Sequence, residues 1–156
     1  MSTALPTAAQ ILALLLLGLV AGSMFGIWRG FDFTTYTPAT YVEVHQGSVR
    51  GLNVLLPAMA MASIVLVLLL AVLARQRPAV WGLYLAAALA MIAAGLVTRF
   101  LNQPINARVM AWTPLAMPAD WTTLRDSWWH WHLVRLASAA GAQILLIAAI
   151  FVDRQG

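Results

Sequence analysis

This chain of 156 residues is 62% hydrophobic and only 9% charged, whereas about a quarter of a typical soluble domain is charged, so composition alone places it in a bilayer. Its net charge of +4 comes from nine arginines, with no lysine, against five acids; this balance does not describe a nucleic-acid-binding surface. Cysteine is absent, which excludes disulfides and thiolate ligands.

A membrane-spanning helix needs about 20 mostly apolar residues. Apolar runs at 8–27, 53–73, 79–100 and 133–152 therefore predict an all-α, integral membrane four-helix bundle. It fills 1–156 as a single domain, with two long, partly helical connections on the same side.

The first segment opens without the positive stretch of a secretory signal, so it is read as a retained span despite the small residues Ala21, Gly22 and Ser23. Gly18, Gly22 and Gly26 form a double small-xxx-small pattern that lets another backbone approach closely. That face is expected to pack inside the bundle or to join copies of the chain in a homo-oligomer.

The first connection carries Arg29, Gly30 and Asp32, then a turn at Thr37 and Pro38. Beyond it Glu43, Gln46, Arg50, Asn53 and Pro57 recur at helical spacing and extend the second span as a polar-faced helix, with His45 beside that face. Glu43 and Arg50 are either ligand-binding groups or a solvated ion pair, and His45 is either a site residue or an interfacial histidine. Arg75 and Arg77 lie in the short hinge 74–78. The positive-inside bias then puts the hinge and both termini on the cytoplasmic side, of a plasma or inner membrane, and both long connections opposite.

At the end of the third span, Arg99, Asn102 and Asn106 converge around Pro104, and the string 102–106 is expected to reverse the chain at the membrane surface. Two amides and a guanidinium at one depth offer donors to an oxyanion or a quinone-like carbonyl, although Arg99 alone would equally snorkel. After Trp112, Pro114 and Pro118, Asp120 is the expected N-cap of a helix over 120–152, roughly 50 Å long at 1.5 Å per residue. Trp121, Arg125, Trp128, His132 and Arg135 form one stripe on it, and that stripe runs into the span. Ionisable groups entering lipid cost roughly 2.5 to 3.5 kcal/mol each unless they face a partner, cavity or ligand. An interfacial belt explains the tryptophans. It does not explain His132 and Arg135.

His130 and His132 lie on opposed sides of a helix and cannot share an ion. A copper, iron or haem site would instead draw on His45 and His132, with Glu43 as a further donor.

The string Asn102, Pro104, Asn106 and Trp112, followed by Trp121, Arg125, Trp128 or Trp129, His132 and Arg135, resembles the anthrone oxygenase-like family of small four-span membrane proteins. A segment similar to Val44, His45 and Gln46 precedes the second span in that family. The resemblance implies oxidation of a flat, apolar phenolic or quinol-type substrate by molecular oxygen, at a site on the side of the long connections. On that reading His132 is the base, with His45 or Glu43 in reserve. Arg135 and Arg99 hold the developing oxyanion, Asn102 and Asn106 orient a carbonyl, and Arg125, Trp121, Trp128, Glu43 and Arg50 contact the ligand. The expected partners are membrane lipid and an apolar aromatic or quinone-like molecule. A non-enzymatic module that binds a quinone, haem or lipid would use the same residues, and the sequence leaves both readings open.

Overall fold

Among the described residues, proline and cap chemistry divide the chain into six α-helices. The structure, a computed structural model, describes residues 4–154. Helix α1 (Ala4–Gly30) carries no charged side chain until Arg29 in its last turn, where a cation suits the helix dipole. Helix α2 (Pro38–Leu52) starts on Thr37, whose side chain accepts the Thr40 N–H at 3.2 Å, with Pro38 in the first turn. Helix α3 (Leu55–Leu73) continues α2 after a break at Asn53 and Val54. Pro57 explains the break, because it has no N–H to give Asn53 and its ring crowds that carbonyl.

Helix α4 (Pro78–Val97) runs into a π turn (Thr98–Asn102) and then into α5 (Gln103–Val109). The reversal expected at 102–106 does not occur. Pro104 sits in the first turn of α5, where it has no N–H to give to the π turn before it. The wide turn takes up the mismatch, with the Gln103 N–H reaching back five residues to the Thr98 carbonyl. Helix α6 (Trp121–Asp153) is 33 residues long, close to the expected extent. Asp120 occupies its cap position without a side-chain cap bond and lies instead 3.6 Å from Arg108.

Among the described residues, four helical stretches, Leu5–Gly30, Leu55–Leu73, Pro78–Val109 and Trp121–Asp153, are long and apolar enough to cross a membrane. They form a ring in which α1 packs on α3, α3 on α4, α4 on α6 and α6 on α1. The α4–α6 seam is the most extensive, and these two helices bury Ala87, Ala88, Ala94, Ala139, Ala142 and Ala149, small residues that let neighbouring backbones approach. On α1 the buried face is Ala13, Leu17, Val20 and Met24. A side chain at Gly22 or Gly26 would meet nothing within 4 Å, and only Gly18 faces a neighbour, Gln143. The glycine face is therefore not the packing face within the chain.

The two ends of the bundle differ. At the hinge end, Gln10 donates to the Tyr84 hydroxyl at 3.0 Å and to Asp153 at 2.9 Å, and Arg77 pairs with Asp153. At the connection end, a second apolar cluster of Ile27, Phe33, Tyr41, Ile105, Val109 and Trp128 roofs the bundle. Gln46 holds that roof together, its amide donating to the carbonyls of Val109 and Trp112, each at 3.0 Å.

Candidate functional site

Under the roof lies a cavity of about 580 Å³, within the range that takes a small apolar ligand. Its walls are mostly aliphatic. The polar exceptions are His45, Ser48 and Asn53 from α2 and its end, Thr98, Arg99 and Gln103 from the π turn and α5, Asn106 from α5, and Trp128 and Arg135 from α6.

A chain of amides sets the polar wall. Gln103 donates to Asn53 Oδ1 at 2.9 Å, and Asn53 Nδ2 returns a bond to Gln103 Oε1 at 3.3 Å. Asn53 Oδ1 also accepts Asn106 Nδ2 at 3.2 Å, which leaves Asn106 Oδ1 as an acceptor. It takes the Trp128 indole N–H at 2.7 Å and faces His45 Nε2 at 3.1 Å. An amide oxygen can only accept, so His45 must carry its proton on Nε2. Its Nδ1 is then a bare lone pair, buried and without a hydrogen-bond partner. His45 lies on α2, outside the spanning segments. Burial pushes its imidazole down to about 4, against the opposing hydrogen bond with Asn106 and with help from the Arg135 charge. The ring is neutral at neutral pH.

Arg135 supplies the charge. It is 8% exposed, and its Nε and Nη2 donate to His132 Nδ1 at 3.3 and 2.9 Å. Its Nη1 lies 3.5 Å from the Thr98 hydroxyl, and the guanidinium carbon sits 5.5 Å from the Trp128 ring centre. Among the described residues no carboxylate pairs with it, since the ion pairs are those of Arg77, Arg108 and Arg125. A buried guanidinium with only neutral partners is a site that gains from an incoming anion.

His132 is fully buried and fully used. Because Nδ1 accepts from Arg135, Nε2 carries the proton and donates to the Met24 carbonyl at 3.0 Å. Its ring stacks on Trp128 at 5.1 Å, while His45 meets the same indole edge-on at 4.8 Å. The two histidines expected to share a metal or haem do not offer a joint ligand set, because both nitrogens of His132 are engaged and Trp128 packs against both rings. Among the described residues no group of three His, Cys, Asp or Glu side chains could hold an ion, and Glu43 is exposed, away from the cavity. The copper, iron or haem expectation does not fit this donor set.

The other expected site residues are dispersed. Arg99 is exposed at the cavity wall, 5.9 Å from the Phe100 ring centre. Asn102 is buried behind the wall, where it donates to the Trp128 carbonyl at 3.0 Å and thereby ties the π turn to α6. Arg125 bonds Asp126 at 2.7 Å, donates to the Phe33 carbonyl at 3.4 Å and lies 5.3 Å from the ring centre of Trp121, which packs against the roof cluster. Glu43 and Arg50 face outward on α2. Residues without an assigned role in the sequence now line or brace the site. Asn53 and Gln103 form the amide pair, Thr98 backs Arg135, and Phe33 packs 6.1 Å from His45. Tyr41 is buried beside His45 at 5.3 Å with its hydroxyl unpartnered, and burial raises its pKa. Asn53 was visible as part of the α2 stripe. Gln103 faces the same wall only because the π turn shifts the helical phase.

Compared with known proteins, residues 47–145 match the family model described as Anthrone oxygenase. The matched stretch takes in the amide chain, Trp128, His132 and Arg135, and begins two residues after His45. No curated protein and no solved structure matches the chain.

Proposed function

This chain belongs to the anthrone oxygenase family, and we propose that its cavity oxidises the activated methylene of a flat, membrane-dissolved phenolic ketone of the anthrone type to a carbonyl, using molecular oxygen. The observation that carries this reading is that His45, whose Nδ1 has no hydrogen-bond partner, lines the same cavity as the Arg135 guanidinium, which pairs with no carboxylate among the described residues. A base and a cation at one apolar site are what enolisation of such a ketone requires.

Removing a methylene proton moves the negative charge to the ketone oxygen and makes the central ring aromatic. His45 Nδ1 takes that proton, and Arg135 holds the oxyanion. The carbanion passes an electron to oxygen and then combines with the superoxide produced, forming a peroxide on the former methylene carbon. His45 returns its proton to the peroxide, and loss of water leaves the second carbonyl. One oxygen molecule is consumed, one of its atoms becomes the carbonyl and the other leaves as water, so the substrate supplies every electron. His132 serves here as a positioning residue for Arg135, since its lone pair is already engaged. Asn106 keeps the proton of His45 on Nε2 and so frees Nδ1. The hinge with Arg75 and Arg77 is read as cytoplasmic, and the cavity as lying toward the opposite face.

The test is reconstituted protein with a hydroxylated anthrone, followed by oxygen uptake and quinone absorbance after subtraction of spontaneous oxidation. The expected stoichiometry is one oxygen per quinone, and His45→Ala should lower turnover by about 10²- to 10⁴-fold, the usual contribution of a positioned base. Equal rates for the wild type and His45→Ala would overturn the assignment. Quinone binding without any oxidation would leave a binding module.

A further inference from the structure

We propose that the cavity is loaded sideways from the bilayer, through a portal between α3 and the α4–π turn segment that the missing side chain of Gly95 keeps open. The proposal rests on reading the cavity as the substrate site, and it adds the route and the molecular class admitted.

The lining itself marks the opening. Its exposed members are Pro57, Met61, Gly95, Leu96 and Arg99, all on α3 or on α4 and its π turn. Met61 is 61% exposed and Leu96 53%, although both also face the cavity. The other directions are closed. Met24 and Ile27 of α1 are buried, Phe33 and Trp128 roof the site, and Gln46 ties α2 to the end of α5 and to Trp112 just beyond it. Met61, Gly95 and Leu96 lie in helices long and apolar enough to cross a membrane, so this gap faces lipid and not water.

The walls define the ligand. Met61 and Leu96 present apolar surface, and methionine adapts its shape to what passes. Arg99 stands at the rim, and among the described residues no carboxylate pairs with it. The portal thus suits a flat apolar molecule that partitions into lipid and carries an acidic oxygen at one edge, such as a polyphenolic ring system. Water-soluble anions would find no route through the apolar gap.

Gly95 makes the inference testable. A Cβ there would meet nothing within 4 Å, so a larger side chain extends into open space, and a helix interior tolerates that change better than it tolerates glycine. Gly82, near the hinge end of the same helix, is equally open and serves as the control. The experiment mixes vesicles of protein with vesicles carrying 1,8-dihydroxyanthraquinone and follows quenching of tryptophan fluorescence. The series is Gly95→Ala, Gly95→Leu, Gly95→Phe and, on the facing wall, Met61→Trp. Association should slow with side-chain size, by on the order of tenfold for Gly95→Phe, because access then waits on the helices parting. Gly82→Phe should bind like the wild type. Unchanged association in Gly95→Phe and Met61→Trp, with helical content and thermal midpoint preserved, would overturn the portal. The binding readout needs no turnover, so slowed binding with no oxidation of any anthrone would uphold the portal and sink the oxygenase reading instead.

Discussion

His45 shows how a single hydrogen bond decides a chemical role. Nothing in the side chain selects one nitrogen, but Asn106 Oδ1 holds the Nε2 proton and leaves Nδ1 bare. The pH dependence follows with a definite sign. The neutral ring is the active base, and burial lowers its pKa from 6.5 to about 4. Turnover should hold as pH falls through 6.5 and fail only toward 4, where Nδ1 becomes protonated, and a pH–rate profile of the reconstituted protein reads this directly. Stability is linked the same way, since an unfolded chain would bind this proton first between 6.5 and 4 and so gain on the folded one as pH falls. Arg135 and Arg99 should separate kinetically. Arg135→Gln removes the buried cation and should lower kcat by about 10²-fold or more, as loss of an oxyanion donor does. Arg99→Gln, at the rim, should act mainly on KM. Equal kcat losses in both variants would contradict this division.

At the scale of the element, the π turn carries the site. An uninterrupted α-helix through Thr98–Asn102 would rotate α5 by about 100° for the residue it absorbs, and would carry Gln103 and Asn106 away from Asn53 and His45. The amide chain they form joins the end of α2 to α5, and each of its members depends on the next. Gln103→Leu and Asn53→Leu should each destabilise by about 1 kcal/mol, the net worth of hydrogen bonding between half-buried amides. The double variant should cost clearly less than the sum, because the second substitution removes the group stranded by the first. Thermal unfolding of the four proteins in one detergent would measure the coupling, and strict additivity would refute it.

Across the whole molecule, the charged groups are sorted to the two ends and the largely apolar seam between them holds the ring of helices. The hinge-end network of Gln10, Tyr84, Asp153 and Arg77 braces α1, α4 and α6 and has no part in the cavity. Asp153→Asn, which weakens the ion pair with Arg77, should lower the thermal midpoint while leaving anthrone oxidation per folded molecule unchanged. A matched loss of activity and stability across a temperature series would instead couple the two ends.

The membrane class, the four apolar helical stretches and the length of α6 followed from the sequence alone. Apolar run length and helical periodicity are local properties, and the bilayer leaves the backbone few alternatives to a helix. Trp128 and Arg135, recognised on one helical face, do share one cavity wall. What only tertiary structure decided was which polar atoms remain free. His132 was the expected base with His45 in reserve, yet His132 is saturated by Arg135 and the Met24 carbonyl and it is His45 that keeps a bare nitrogen. Asn102 and Asn106 shared a stripe, yet Asn102 spends its amide on the Trp128 backbone while Asn106 serves the site. Such differences arise from partners up to 108 positions distant in the chain, as between His132 and Met24. No local pattern encodes them, because hydrogen-bond satisfaction belongs to the packed bundle and not to any one helix.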